Sequence, residues 1–141
     1  RTDVRAVEGL AVAVDRAKAL VDAGADAIFP EAMADLAEFE AVRNAVDVPV
    51  LANMTEFGKS ELFTAEQLAS AGINIVIHPV SLLRIAMGAA ERGLDTLVSD
   101  GSLKAEVPGM QTRARLYELL DYSGYTAFDT NVFDFEVPTG R

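Results

Sequence analysis

Three times in this chain an apolar run gives way, with no turn residue between, to hydrogen-bonding side chains, and that repeat limits the folds open to it. Val48 and Val50 to Ala52 make a short buried strand, followed at once by Asn53-Met54-Thr55-Glu56. Ala27-Ile28-Phe29-Pro30 ends in Glu31, and Ile73 to Ile77 ends in His78. Asn53 lies 22 residues after Glu31, and His78 lies 25 after Asn53. Strands that stop being oily and finish in polar groups are how (β/α) proteins present chemistry at the carboxyl edge of a parallel sheet. One rim is thus expected to collect Glu31, Asn53, Thr55, Glu56 and His78.

The stretches between these strands read as helices. Val7 to Ala23 carries Val7, Leu10, Val14, Ala17 and Val21 at helical spacing, and Gly24 follows as a stop. Met33 to Val46 turns Leu36, Phe39 and Val42 inward. Thr64-Ala65-Glu66-Gln67 is a capping box that opens a helix ending at Gly72. Ser81 is placed to cap a fourth helix, Leu82 to Arg92, that stops at Gly93. Beyond Gly93 the rhythm fails. Leu94 to Glu106 is irregular, Pro108-Gly109 is a turn, and Gln111 to Leu120 is helical. The tail from Tyr122 to Arg141 is aromatic but has no period.

Alternation of helix and strand at about two dozen residues per unit means a parallel sheet with crossover helices. A small three-stranded doubly wound layer is one solution. The other is the C-terminal portion of a (β/α)8 TIM barrel, about three strand–helix units, since a closed barrel needs roughly 200 residues or more and this chain has 141. Arg1-Thr2-Asp3 leads straight into a loop and a helix, as a chain does when the preceding strand lies upstream. The expectation is therefore a barrel fragment over residues 1–93, with a helical segment and tail over 94–141.

Composition excludes more than it selects. A net charge of −10 and the lack of any Lys/Arg cluster argue against nucleic acid. No cysteine is present, which rules out disulfides and thiolate metal sites. No apolar run approaches the ~20 residues of a membrane span. The expected compartment is the cytoplasm.

Six pieces carry a more specific likeness: Arg1-Thr2-Asp3, Val7-Glu8-Gly9-Leu10, Phe29-Pro30-Glu31-Ala32, Leu51 to Gly58, Pro79-Val80-Ser81 with Arg84, and Met110-Gln111-Thr112-Arg113. In this order they resemble the C-terminal half of the isocitrate lyase / phosphoenolpyruvate mutase superfamily. The Asn53-Met54-Thr55-Glu56-Phe57-Gly58 segment points within it to the branch that cleaves 2-methylisocitrate. The resemblance implies a magnesium-dependent carbon–carbon lyase that yields pyruvate and succinate in propionate consumption. It further implies Arg1 and Glu31 as catalytic residues, and Arg1, Glu31, Asn53, Met54, Thr55, Arg84 and Arg113 around a small tricarboxylate. The magnesium ligands, and a Lys-Lys-Cys-Gly-His loop, would lie upstream of Arg1 in the missing N-terminal half of the barrel. A homo-oligomer with C-terminal helices swapped between subunits is implied as well.

The chemistry suits these residue types. Arginine pairs carboxylate oxygens two at a time, which a tricarboxylate substrate needs in an acidic protein. Asn53 and Thr55 can donate and accept without adding charge. Each residue also has a plainer role open to it. Glu31 can serve only the next helix's dipole, Thr55 can be a cap, and Arg84, Arg113 and Arg115 can be solvated surface residues. His78 reads as a packing or hydrogen-bonding residue, and Glu56 as either a partner of site residues or an exposed carboxylate. Two other functions stay open at this point: an oxaloacetate decarboxylase-like enzyme of small 2-oxo or 2-hydroxy acids, and a non-catalytic α/β interaction domain.

Overall fold

A computed structural model describes residues 1–133. The chain divides into two compact units, Arg1–Gly88 and Ala89–Arg141. In the first unit two strands, β1 (Leu51–Asn53) and β2 (Ile75–Ile77), pair in parallel with Leu51 opposite Ile75 and Asn53 opposite Ile77. Single parallel bridges extend the sheet on the other side of β1, Ile28 to Val50 and Thr2 to Pro30. The backbone bonds run without a gap. Thr2 N–H donates to Phe29 O (3.0 Å), Ile28 N–H to Pro49 O (2.9 Å), and Met54 N–H to Ile77 O (2.9 Å). Four neighbouring parallel segments result, one more than the sequence reading, because Thr2 joins the ladder.

The strands are shorter than the apolar runs. Pro49 has no donor, and the Val50 N–H turns to the side-chain Oδ1 of Asn74 (3.0 Å), so regular pairing with β2 begins only at Leu51. Ile28, Val50, Ala52 and Met54 point into a core shared with Ala13, Ala17, Phe39, Val42, Leu68 and Ile73. The period of two sends Asn53 and Thr55 the other way.

Helices α1 (Arg5–Glu8) and α2 (Leu10–Asp22) replace the single helix expected from Val7. Gly9, at φ 88°, is a conformation that side-chain-bearing residues resist, and it breaks the helix; Val7 is 82% exposed instead of inward. Helix α3 (Leu36–Ala45) starts at the Asp35 cap, whose carboxylate accepts from Glu38 N–H, and buries Phe39 and Val42. Its last turn is closed by Arg43, which donates to Val46 O at 2.6 Å. Helix α4 (Ala65–Ser70) has the full capping box of Thr64 and Gln67.

Helix α5 runs Ser81–Asp100 and passes through Gly93. A mid-helix glycine costs about 1 kcal/mol against alanine, too little to end a helix that Ala89, Ala90, Glu91, Arg92 and Leu94 favour on either side. Nor does Ser81 cap α5: it is the first helical residue, preceded by Val80 at φ 55°. In the second unit a 3-10 turn at Val107–Gly109 leads to α6 (Arg113–Leu119), capped by the Thr112 hydroxyl, and α7 (Tyr122–Phe133). The tail thus holds a regular helix where no period was read; Phe135 and the remaining tail residues lie outside the described residues.

Candidate active site

The carboxyl ends of the parallel segments build the site. Thr2 and Pro30 pair, so Arg1 and Glu31 flank the same rung, and Arg1 Nη2 lies 3.2 Å from Glu31 Oε2. On the next strand Asn53 Nδ2 donates to the same Glu31 oxygen at 3.4 Å. Its other polar atom, Oδ1, is buried and has no hydrogen-bond partner among the described residues. An unpartnered buried acceptor beside a carboxylate and a guanidinium leaves room for a ligand donor.

Arg1 is itself held. Nη2 and Nε fork onto Asp3 at 2.7 and 3.1 Å, and the guanidinium lies over the Phe29 ring, 5.0 Å from its centroid. The fork keeps the Asp3 carboxyl below its usual range and holds the Arg1 guanidinium above its own. A cavity of about 270 Å³ opens here, lined by Arg1, Asp3, Ala6, Glu31, Ala32, Gly58 and Lys59. Larger hollows in the second unit, such as one of about 580 Å³ between Leu119 and Asp129, gather mainly exposed apolar residues, so the smaller cavity is the chemical one.

A second cluster stands at the end of β1. Arg84 Nη1 donates to Thr55 Oγ1 (3.3 Å), to the Glu56 carbonyl (2.8 Å) and to Glu56 Oε2 (3.1 Å), while Ser81 Oγ donates to Glu56 Oε1 at 2.6 Å. These donors, the Ser81 hydroxyl first, hold the Glu56 carboxyl below its usual range. Arg84, which by composition could be a free surface residue, is therefore tied to the rim.

Other expected residues fall elsewhere. Met54 is a core residue, 1% exposed, whose sulfur accepts from Phe63 N–H, and strand alternation turns its side chain away from the rim. Arg113 opens α6 in the second unit and is exposed. His78 is exposed. Asp3, Lys59 and Ser81 were not singled out for the site by sequence. Asp3 had a signal, an acid two residues from Arg1; Ser81 looked like an ordinary cap.

Backbone strain marks the same edge. Ala32, Phe57 and Val80 have φ values of 63°, 61° and 55°, each just past a strand end and next to Glu31, Glu56 or Ser81. Left-handed backbone is uncommon without glycine, a genuine outlier for β-branched valine, and it gathers at functional sites.

Among the described residues no three His, Cys, Asp or Glu side chains come together as a metal site. Glu31 already faces a guanidinium. These residues do not by themselves fit a magnesium ion.

Residues 1–98 match the phosphoenolpyruvate phosphomutase family. The chain belongs to that family. It is 55% identical over 135 residues to a probable 2-methylisocitrate lyase 2 of Corynebacterium glutamicum, covering 96% of this chain and 44% of the relative. It is 44% identical to the 2-methylisocitrate lyase of Escherichia coli, over 94% of this chain and 45% of that protein. The chain thus spans less than half the length of the curated relatives it matches. Among solved structures, oxaloacetate acetylhydrolase in complex with oxalate superposes with a TM-score of 0.82 at 28% identity, covering 94% of this chain and 45% of that one. A 2,3-dimethylmalate lyase of the same superfamily gives 0.77 at 26% identity, covering 94% and 47%. The relatives are carbon–carbon lyases in the main, and the fold is the α/β fold of this superfamily.

Proposed function

We propose that the chain is the carboxyl-terminal portion of a 2-methylisocitrate lyase, cleaving 2-methylisocitrate to pyruvate and succinate. The observation that carries the reading is the run Arg1–Glu31–Asn53 across three adjacent parallel segments, in a chain 44–55% identical to proteins of that name. In a retro-aldol cleavage a base removes the substrate hydroxyl proton and a carbonyl forms. The carbon–carbon bond breaks, its electron pair passes to the succinate carbon, and an acid protonates that carbon.

Glu31 is placed to accept from the substrate hydroxyl, with Arg1 beside it to offset developing negative charge. Asn53 Oδ1 offers a buried acceptor that a hydroxyl can satisfy. Thr55 and Arg84 bind a substrate carboxylate. Magnesium ligands and the protonating acid belong to the part of the barrel that precedes these strands. The helices from Gln111 to Tyr125 dock on a neighbouring subunit: Leu116, Leu119 and Leu120 are 41%, 55% and 56% exposed. The working protein is a cytoplasmic homo-oligomer. The test is turnover of 2-methylisocitrate, isocitrate and oxaloacetate by the full-length protein with magnesium, with 2-methylisocitrate preferred. Equal or better turnover of oxaloacetate would overturn the assignment.

A further inference from the structure

Glu56 has no role in the reaction as proposed, yet it is the most heavily engaged carboxylate at the end of β1. It reaches from the loop after that strand to two residues of α5. Ser81, the first residue of the helix, donates to one oxygen at 2.6 Å, and Arg84, three residues on, donates to the other at 3.1 Å. The Glu56 carbonyl takes a further bond from Arg84 at 2.8 Å.

All three hydrogen bonds of the Arg84 guanidinium use Nη1. Among the described residues, Nε and Nη2 have no partner, and the plane of the group rests over the Phe57 ring at 5.4 Å. Those two nitrogens form the straight edge with which arginine grips a carboxylate through two parallel bonds. An arginine 39% exposed at its side chain would ordinarily sample many rotamers. Here one nitrogen is anchored at three points and the paired edge is left free.

We propose that Glu56 is a positioning residue: fixed by Ser81, it anchors Nη1 of Arg84 so that the Nε–Nη2 edge is presented, already oriented, to a carboxylate of the substrate. The inference rests on the lyase reading of the site. Glu56 also cancels the charge of Arg84, so recognition depends on directed N–H donors rather than on bare attraction. The Ser81 and Arg84 donors hold its carboxyl below the usual range, which extends the ionised form to lower pH.

The test is a double-mutant cycle in the full-length protein. Glu56→Ala is expected to raise KM for 2-methylisocitrate about tenfold, the scale of one hydrogen bond to a charged group, with kcat changed far less. In an Arg84→Ala background the same substitution is expected to change nothing further. Glu56→Gln keeps the shape and one acceptor, guards against a folding defect, and should fall between wild type and Glu56→Ala. Calorimetric titration with tricarballylate reads the same coupling without turnover. An equal penalty in both backgrounds, or an unchanged KM and tricarballylate affinity, would overturn the proposal. A wild-type protein that binds tricarballylate but does not cleave 2-methylisocitrate would end the lyase reading, and the calorimetric cycle would still decide the role of Glu56.

Discussion

Arg5 grips both oxygens of the Glu38 carboxylate with its Nε–Nη2 edge, Nη2 to Oε1 at 2.6 Å and Nε to Oε2 at 2.8 Å, and the Ala34 N–H adds a third bond at 2.7 Å. Arg5 follows the segment that carries Arg1, and Ala34 lies in the loop that follows Glu31. The pair therefore ties together the two pieces of chain that bring Arg1 and Glu31 within 3.2 Å.

Glu38→Ala should destabilise the chain by about 2 kcal/mol, since it leaves a half-buried guanidinium and a backbone donor unpaired. Chemical denaturation measures this. A loss below about 0.5 kcal/mol, the scale of an exposed pair, would mean the clamp is only superficial.

The same carboxylate gives stability a pH dependence. Arg5 first, then the Ala34 N–H, holds the Glu38 carboxyl below its usual range in the folded chain. The folded state thus binds this proton less readily than the unfolded state. Its contribution is fully present above the unfolded value of about 4.3 and is lost as pH falls through the lower folded value. The stability gap between wild type and Glu38→Gln should be constant near neutrality and shrink in acid. A gap that stays constant down to about pH 3 would remove Glu38 from the acid response.

Arg84→Lys should lower kcat/KM of the full-length enzyme by about 2 kcal/mol in transition-state binding, because an ammonium cannot supply the paired Nε–Nη2 edge. A surface Arg16→Lys exchange serves as the control. Equal kinetics for both variants would return Arg84 to the solvent.

Val80→Gly should relieve the left-handed backbone before α5 and stabilise the fold by up to about 1 kcal/mol, less what is lost to glycine's freedom in the unfolded chain. Ala32→Gly tests the neighbouring loop. Denaturation midpoints that fall in both variants would mean that side-chain contacts there outweigh the strain.

Leu119→Ser with Leu120→Ser should shift the full-length protein toward smaller assemblies, as sedimentation would record, if α6 docks on a neighbouring subunit. No change in mass would argue against that docking.

The rim was legible in sequence because its signals are local. Each of Glu31, Asn53 and Thr55 follows an apolar run directly, and a period of two then fixes which side chains face out. The same parity turns the Met54 side chain into the core, between two residues whose side chains face the rim. Gly9 and Gly93 show the limit of reading glycine as punctuation. One adopts φ 88° and ends a helix, while the other sits inside α5, and only the neighbouring backbone distinguishes them. Helix α7 has no buried residue, so its apolar side chains, Tyr122, Tyr125, Phe128 and Val132 among them, stay exposed or half-exposed and mark no core face. The grip of Ser81 and Arg84 on Glu56 spans 25 and 28 residues, beyond any local pattern.

The parallel ladder also dictates an order of assembly. Its rungs join Thr2 to Pro30, Ile28 to Val50 and Leu51 to Ile75, separations of 28, 22 and 24 residues. No strand can pair until the helix and strand after it exist, and each closure is a loop of similar size and similar entropic cost. Such contacts make folding slow compared with a helical bundle of equal length. On a ribosome each segment would wait for about two dozen residues to emerge before it found its neighbour. The edge awaiting its partner would be the newest one, so the interval for mispairing recurs once per unit rather than once per chain.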